Sequence, residues 1–178
     1  EKGTAYGQPF ERLEADARYV DGLLEAPSAT VHIGPSQIRG TAAFQHPKDD
    51  WSKGSLRFDA STTGVQLARL KAAQEVIPGL EGKLEGQLAG QVSVAKGALR
   101  VTSLSGRLAV SDFALEQKPM GNLALTATTK GRAVSLDLSG EVAGSAIRGS
   151  GQCSLEADYA VEGNVEFPRL SLATVLAR

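Results

Sequence analysis

Residues 78–94 read PGLEGKLEGQLAGQVSV, with glycine at 79, 82, 86 and 90 and leucine at 80, 84 and 88. The spacing of four resembles a helical face. Each glycine inside an α-helix, however, costs ~1 kcal/mol relative to alanine, and this stretch would have to absorb that cost several times. Parity gives a better account. The even positions are Leu80, Gly82, Leu84, Gly86, Leu88, Gly90, Val92 and Val94, and the odd positions are Glu81, Lys83, Glu85, Gln87, Ala89, Gln91, Ser93 and Ala95. One apolar side and one almost wholly polar side, at period two, specify a half-buried β-strand.

The same parity runs further near the C-terminus. Between 147 and 167 the odd positions are Ile147, Gly149, Gly151, Cys153, Leu155, Ala157, Tyr159, Val161, Gly163, Val165 and Phe167, and the residues between them are mostly polar. A reversal placed near Asp158–Gly163 turns this into two strands sharing one apolar face. Shorter alternations occur at Val31–Phe44, Leu56–Ala60, Leu99–Val110, Leu123–Ala127 and Val134–Val142. The expected fold is therefore mainly β, a long antiparallel sheet that is apolar on one face and wet on the other. One segment departs from the pattern. GVQLARLKAAQEVIPG places Val65, Leu67, Leu70, Ala73, Val76 and Ile77 near helical spacing, with Thr62 or Thr63 as N-cap and Pro78–Gly79 as the stop. It predicts one short helix over 64–77.

Compared with itself at an offset of 109, the chain sets SQIRG (36–40) over SAIRG (145–149) and GSLRF (54–58) over GNVEF (163–167). Gly22 meets Gly131, and Asp49 meets Asp158. The segment 22–59 thus repeats as 131–168, and LSLATVLAR at the C-terminus resembles the start of the helical segment. A single β-segment of a repeat protein, spanning 1–178, is the expected organisation, with each unit touching mainly the next. Since the last residues lie inside an apolar-periodic stretch, the chain is expected to be a piece of a longer protein.

Sites for chemistry are sparse. His32 and His46 are the only histidines, and neither sits in a cluster at metal-ligand spacing. His32, alternating with Val31 and Ile33, is expected to point outward. Cys153 stands on the apolar face between Gly151 and Leu155 and reads as a small buried hydrophobe. No nucleophile elbow, phosphate loop or dinucleotide fingerprint is present. Neither a catalytic residue, a metal ligand set nor a cofactor site is therefore expected, and the chain does not read as an enzyme. A net charge of −1 gives no footprint for nucleic acid. No apolar run is long enough for a membrane-spanning helix. The polar loop HPKDDWSKG (46–54) carries the sole tryptophan, Trp51, at a hairpin tip, either packed at the sheet edge or reaching a partner or membrane interface.

A long one-sided sheet must cover its apolar face, and one short helix is too little. What remains is a second sheet, the sheet folded on itself, or an apolar ligand. Twenty glycines and only 5% aromatic residues favour a curved face that is not fully plugged. The expected groove lining is Leu80, Leu84, Leu88, Val92, Ile147, Leu155, Val161, Val165 and Phe167. Each methylene buried there contributes about 0.8 kcal/mol, so an acyl chain needs no polar anchor.

The succession of IPGLEGKLEGQLAG, GALRVTSLSGRLAVSDFAL and GNLALTATTKGRAVSLDLSG resembles the AsmA/TamB class of repeat proteins, nearest the TamB translocation-and-assembly branch. The match covers roughly 54–178, and 10–53 more loosely. The resemblance implies a long, taco-shaped β-structure with an open apolar groove. It implies a periplasmic location, with the parent protein anchored in the inner membrane outside this segment, and a role in outer-membrane biogenesis. Three functions follow as expectations. The first is a lipid-transfer groove holding phospholipid acyl chains or another apolar ligand. The second is a chaperone-like scaffold that receives strands of outer-membrane proteins by β-augmentation. The third is a structural β-solenoid with a closed core.

Overall fold

The computed structural model describes residues 3–5, 7–96, 98–156 and 158–168. Among these residues twelve strands are formed: β1 Gly3–Ala5, β2 Gln8–Phe10, β3 Arg12–Val20, β4 Leu23–Ile33, β5 Ser36–Gln45, β6 Lys53–Gln66, β7 Leu80–Ala95, β8 Ala98–Leu115, β9 Lys118–Lys130, β10 Ala133–Val142, β11 Ser145–Ser154 and β12 Val161–Glu166. The first two make a small hairpin. The other ten form one open antiparallel sheet, ordered β3 to β12 as in the chain. Such a meander results when every connection is short enough to return the chain beside itself. At the β3–β4 reversal, Asp21 and Gly22 have φ of 50° and 80°, the left-handed pair of a two-residue turn that matches strand twist.

Between β6 and β7 lie a 3-10 turn, Leu67–Arg69, and a six-residue helix α1, Lys71–Val76. The helical expectation over 64–77 is corrected at its start. Residues 64–66 belong to β6, where Val65 pairs with Leu84 of β7 and is buried at 1% exposure. Apolar Val65 and Leu67 satisfy helical spacing and strand burial equally, and pairing with β7 decides for the strand. Thr62 caps nothing: its hydroxyl donates to the Gln37 carbonyl (2.8 Å), and Leu70 stands at the N-cap of α1. Val76, expected on the apolar helical face, is 79% exposed.

The predicted reversal near Asp158–Gly163 lies slightly earlier. The chain leaves β11 at Ser154 and enters β12 at Val161, so Gly163 sits inside β12 opposite Gly151. The alternation read as Val31–Phe44 is two strands broken at Gly34–Pro35, and the pairing of β3 with β4 before it had no counterpart in the sequence reading.

At an offset of 109, β5 Ser36–Gln45 falls on β11 Ser145–Ser154, and the pairing Ile33↔Ser36 falls on Val142↔Ser145. The offset fails in the next strand. Phe44 faces Leu56, but its counterpart Cys153 faces Val161 rather than Val165. The tighter 155–160 connection slides β12 along β11 relative to β6 on β5. The repeat-like LSLATVLAR segment lies outside the described residues.

Candidate functional site

Strand pairing carries the parity of each strand across the whole sheet. Leu13, Val31, Ile38, Thr62, Gly86, Leu108, Leu125, Leu138, Gly149 and Val165 stand opposite one another in an unbroken row from β3 to β12. The adjacent row on the same face is Ala15, Ala29, Gly40, Ala60, Leu88, Gly106, Ala127, Leu136, Gly151 and Gly163. All but two of these are alanine or glycine. A lane of small residues therefore crosses the sheet at right angles to the strands, over roughly 43 Å at ~4.8 Å per strand. Aliphatic and aromatic side chains flank it: Val65, Leu84, Val110, Leu123 and Ile147 on one side, Phe58 and Leu104 on the other.

Several glycines of this face lie opposite large partners. Gly86 lies opposite Leu108, Leu88 opposite Gly106, Gly90 opposite both Phe58 and Leu104, and Gly140 opposite Leu123. At Gly90 the space left by the glycine is taken by a side chain, while at Gly86, Gly106 and Gly140 it is bounded by the backbone of the adjacent strand. The Phe58 ring occupies the place a Cβ on Gly90 would take, 2.8 Å from it. At Gly86, φ is +141°, and a Cβ would overlap the Arg107 carbonyl oxygen. These positions let the strand bend sharply where a side chain would hold it straight.

Among the described residues no second large sheet lies over the middle of this face, and most of its residues are half-buried. Protein covers the ends of the strands instead. At the end where β7 begins, the β1–β2 hairpin is tied to the helical segment. Gln8 Oε1 accepts from the Lys71 backbone N–H (2.7 Å), and Gln8 Nε2 donates to the Arg69 carbonyl (3.0 Å). Ile33, Val65 and Leu67 are buried there. At the opposite end two loops close over the sheet. Leu155 packs with Ala127 and Val134, and Val101, Leu104, Leu136 and Cys153 lie against them. The Tyr159 hydroxyl accepts from the Val101 backbone N–H (3.1 Å), reaching from beyond β11 to β8 over two intervening strands. That reach requires the sheet to curl.

The loop between β5 and β6 makes the other closure. His46 is 3% exposed, with its ring centroid 3.8 Å from Trp51, 5.3 Å from Phe44 and 5.6 Å from Tyr19. Its Nδ1 lies 2.6 Å from the Pro47 carbonyl, so in the tautomer that donates there Nε2 is an acceptor; Nε2 is buried without a partner among the described residues. Hydrogen bonds from Lys53 first, then from Ser52, hold the Asp50 carboxyl down at about 2. His32 lies opposite Arg12 and Gln37, on the polar side of the sheet.

Of the residues expected to line a groove, Leu80, Leu84, Leu88 and Val92 share one side of β7 and are half-buried. Ile147 joins their face through Gly140, Leu123 and Val110, and is buried. Leu155 is different. At 9% exposure it is packed into the closed end, so it is a plug rather than an open lining residue. Val161 and Val165 lie on the same face at the outer edge, 68% and 53% exposed, and Phe167 just beyond β12 is 43% exposed. Parity alone missed the lane residues Ala15, Ala29, Gly40, Ala60, Gly106 and Ala127, because their alignment depends on register between strands. Among the described residues no group of three or more His, Cys, Asp or Glu is placed to hold a metal ion, and no helix is long and apolar enough to cross a membrane. Comparison with protein-family models, curated proteins and solved structures finds no match to this chain.

Proposed function

We propose that the chain is a groove module for lipid acyl chains, a periplasmic segment that acts in outer-membrane biogenesis in the manner its AsmA/TamB-like sequence implies. The observation that carries this reading is the lane of small residues. It runs the width of the sheet between flanking aliphatic rows, and from β3 to β8 no other layer of protein among the described residues lies over it, whereas at β9 and β10 Ala127 and Leu136 pack with Leu155. An acyl chain laid in it buries methylenes against Leu84, Leu88 and Leu108, at about 0.8 kcal/mol each. No polar side chain is needed to hold it. The lipid headgroup remains in water, outside the sheet.

The lane's direction makes the body a conduit. Because it crosses the strands, adding strands lengthens the path, and lipid moves from strand to strand over residues that are small on every strand but β7 and β10. A photocrosslinking amino acid at Leu88 is expected to label phospholipid in cells, and one at the plugged Leu155 is expected to label none. Labelling of nascent outer-membrane proteins from Leu88 would favour the β-augmentation reading. Absence of any lipid adduct at Leu88 would sink the groove.

A further inference from the structure

Where β7 turns into β8 and β9 into β10, at one end of the sheet, the two turns carry charges of a single sign. Residues 86–111 and 118–136 contain no Asp or Glu, and Lys96, Arg100, Lys130 and Arg132 all stand at this end. The other end of β8, β9 and β10 holds Asp112, Glu116 and Glu141 beside Lys118. All four cations of the first end are exposed, and Lys96, Arg100 and Lys130 form no ion pair among the described residues. Arg132 lies 3.4 Å from Glu156, but both side chains are in solvent, so the pair holds the guanidinium weakly. On the loops to either side, Asp21 and Asp50 are taken by Lys48 (2.7 Å) and Lys53 (2.8 Å), and Asp49 and Asp158 lie outside the two turns.

The backbone opens between these turns. β8 pairs with β9 only as far as Gly106 opposite Ala127, while β8 runs on beside β7 to Ala98 and β9 beside β10 to Lys130. The Thr129 hydroxyl replaces the missing ladder, accepting from the Leu104 N–H (2.7 Å) and donating to its carbonyl (2.8 Å). Beyond it lies a cleft of about 430 Å³, walled by Arg100 and Thr102 of β8 and by Gly131 and Arg132 of the β9–β10 turn. Apolar groups stand beside it. Leu99, between Lys96 and Arg100, is 57% exposed. Trp51, 55% exposed, precedes Lys53 by two residues, and the row of Lys53 continues through Ala95 to Ala98. The Trp51 ring rests on His46 and Tyr19, with centroids 3.8 Å and 5.4 Å away, so packing fixes it in this position.

From this we infer that this end of the sheet docks on an anionic phospholipid surface. Trp51 and Leu99 enter the interface, where an amphipathic ring and an aliphatic side chain are both accommodated. Lys96 and Lys130 meet lipid phosphates, and one phosphate lies in the cleft between Arg100 and Arg132. The cations select anionic lipid, and the exposed tryptophan and leucine select a bilayer over a free phosphate. Docking does not rest on lipid in the lane, and its failure would leave the groove reading intact.

Trp51, the sole tryptophan, reports the contact directly, because bromine on an acyl chain quenches an indole that touches it. The full chain is mixed with vesicles of equal parts phosphatidylglycerol and brominated phosphatidylcholine, or of brominated phosphatidylcholine alone. Quenching is expected with the first and not with the second. The double variant Lys96→Gln, Arg100→Gln is expected to lower vesicle affinity about thirtyfold, as the loss of two cations at an anionic surface requires. Leu99→Ser is expected to weaken binding as well, and Val76→Ser, at the opposite end of the strands, to bind as the parent does. All these side chains are exposed, and circular dichroism checks that each variant keeps its sheet. Quenching by lipid taken up in the lane would persist in the double variant, and so would count against docking. No quenching on the anionic vesicles, equal quenching on both kinds, binding unchanged in the double variant, or binding lost through Val76→Ser would each overturn the proposal.

Discussion

A glycine on an apolar strand face lets the backbone of the adjacent strand come close. Gly86 makes this concrete, because its φ of +141° and the nearby Arg107 carbonyl both exclude a side chain. Gly86→Ala is expected to cost about 1–3 kcal/mol, the range for a non-glycine residue forced into a sparsely populated backbone region. Urea denaturation gives the value, and an unchanged midpoint would show that the bend is not required. Sequence parity revealed that Gly86 and Leu88 share a face. Which leucine each glycine receives was not legible, since Leu108 and Gly106 are brought opposite them only by the β7–β8 register. Asp50 is the other residue with a defined consequence. Its carboxyl is held at about 2 instead of 3.8, chiefly by Lys53 and then by Ser52. A depressed acid stabilises the fold above its ordinary pKa, and that contribution disappears as pH falls through the folded value. Fluorescence of Trp51 is expected to change as the loop loosens on approach to about pH 2. In Asp50→Asn that acid step should vanish, and its persistence would assign it to another group.

Among the elements, β-strands were the easiest to read, because an alternation that holds for ten residues admits no helical account. The segment between β6 and β7 was harder. Val65 and Leu67 fit both periods, so the boundary was decided by packing against β7: Val65 lies against Leu84, and Leu67 is buried in the turn that contacts the same strand. Val65→Ala removes two buried methyl groups where exposure is 1%, and it is expected to cost about 2 kcal/mol. Val76→Ser, at a side chain 79% exposed, should stay within about 0.5 kcal/mol of the parent. Thermal denaturation of both variants checks the pair. A larger loss at Val76 than at Val65 would restore the longer helix. Loops were least legible of all. The β5–β6 loop was expected to present Trp51 at a tip, and it does leave that ring half-exposed, but it also buries His46 beneath it. Nothing in the order HPKDDW signals that stack, which needs Tyr19 and Phe44 from two other strands.

The whole molecule is a sheet with caps rather than a closed core. Plugs at both strand ends, the hairpin and helix on one side and the Leu155–Tyr159 and His46–Trp51 loops on the other, leave the middle rows half-buried. Small residues are concentrated in that middle, which is why the lane crosses the sheet instead of following a strand. Leu88 stands in it between Ala60 and Gly106, so a charge there faces the lane and spares the buried ends. The most direct test of the groove is a mass spectrum of the organic extract of the purified chain, after incubation with phospholipid vesicles and re-isolation, compared with Leu88→Asp. Phospholipid recovered from the parent and lost from a Leu88→Asp variant that keeps its β circular dichroism is the predicted result. A parent that carries no lipid, together with a Leu88→Asp variant that unfolds, would instead mean that the face is closed by protein and that the chain is a structural β-segment.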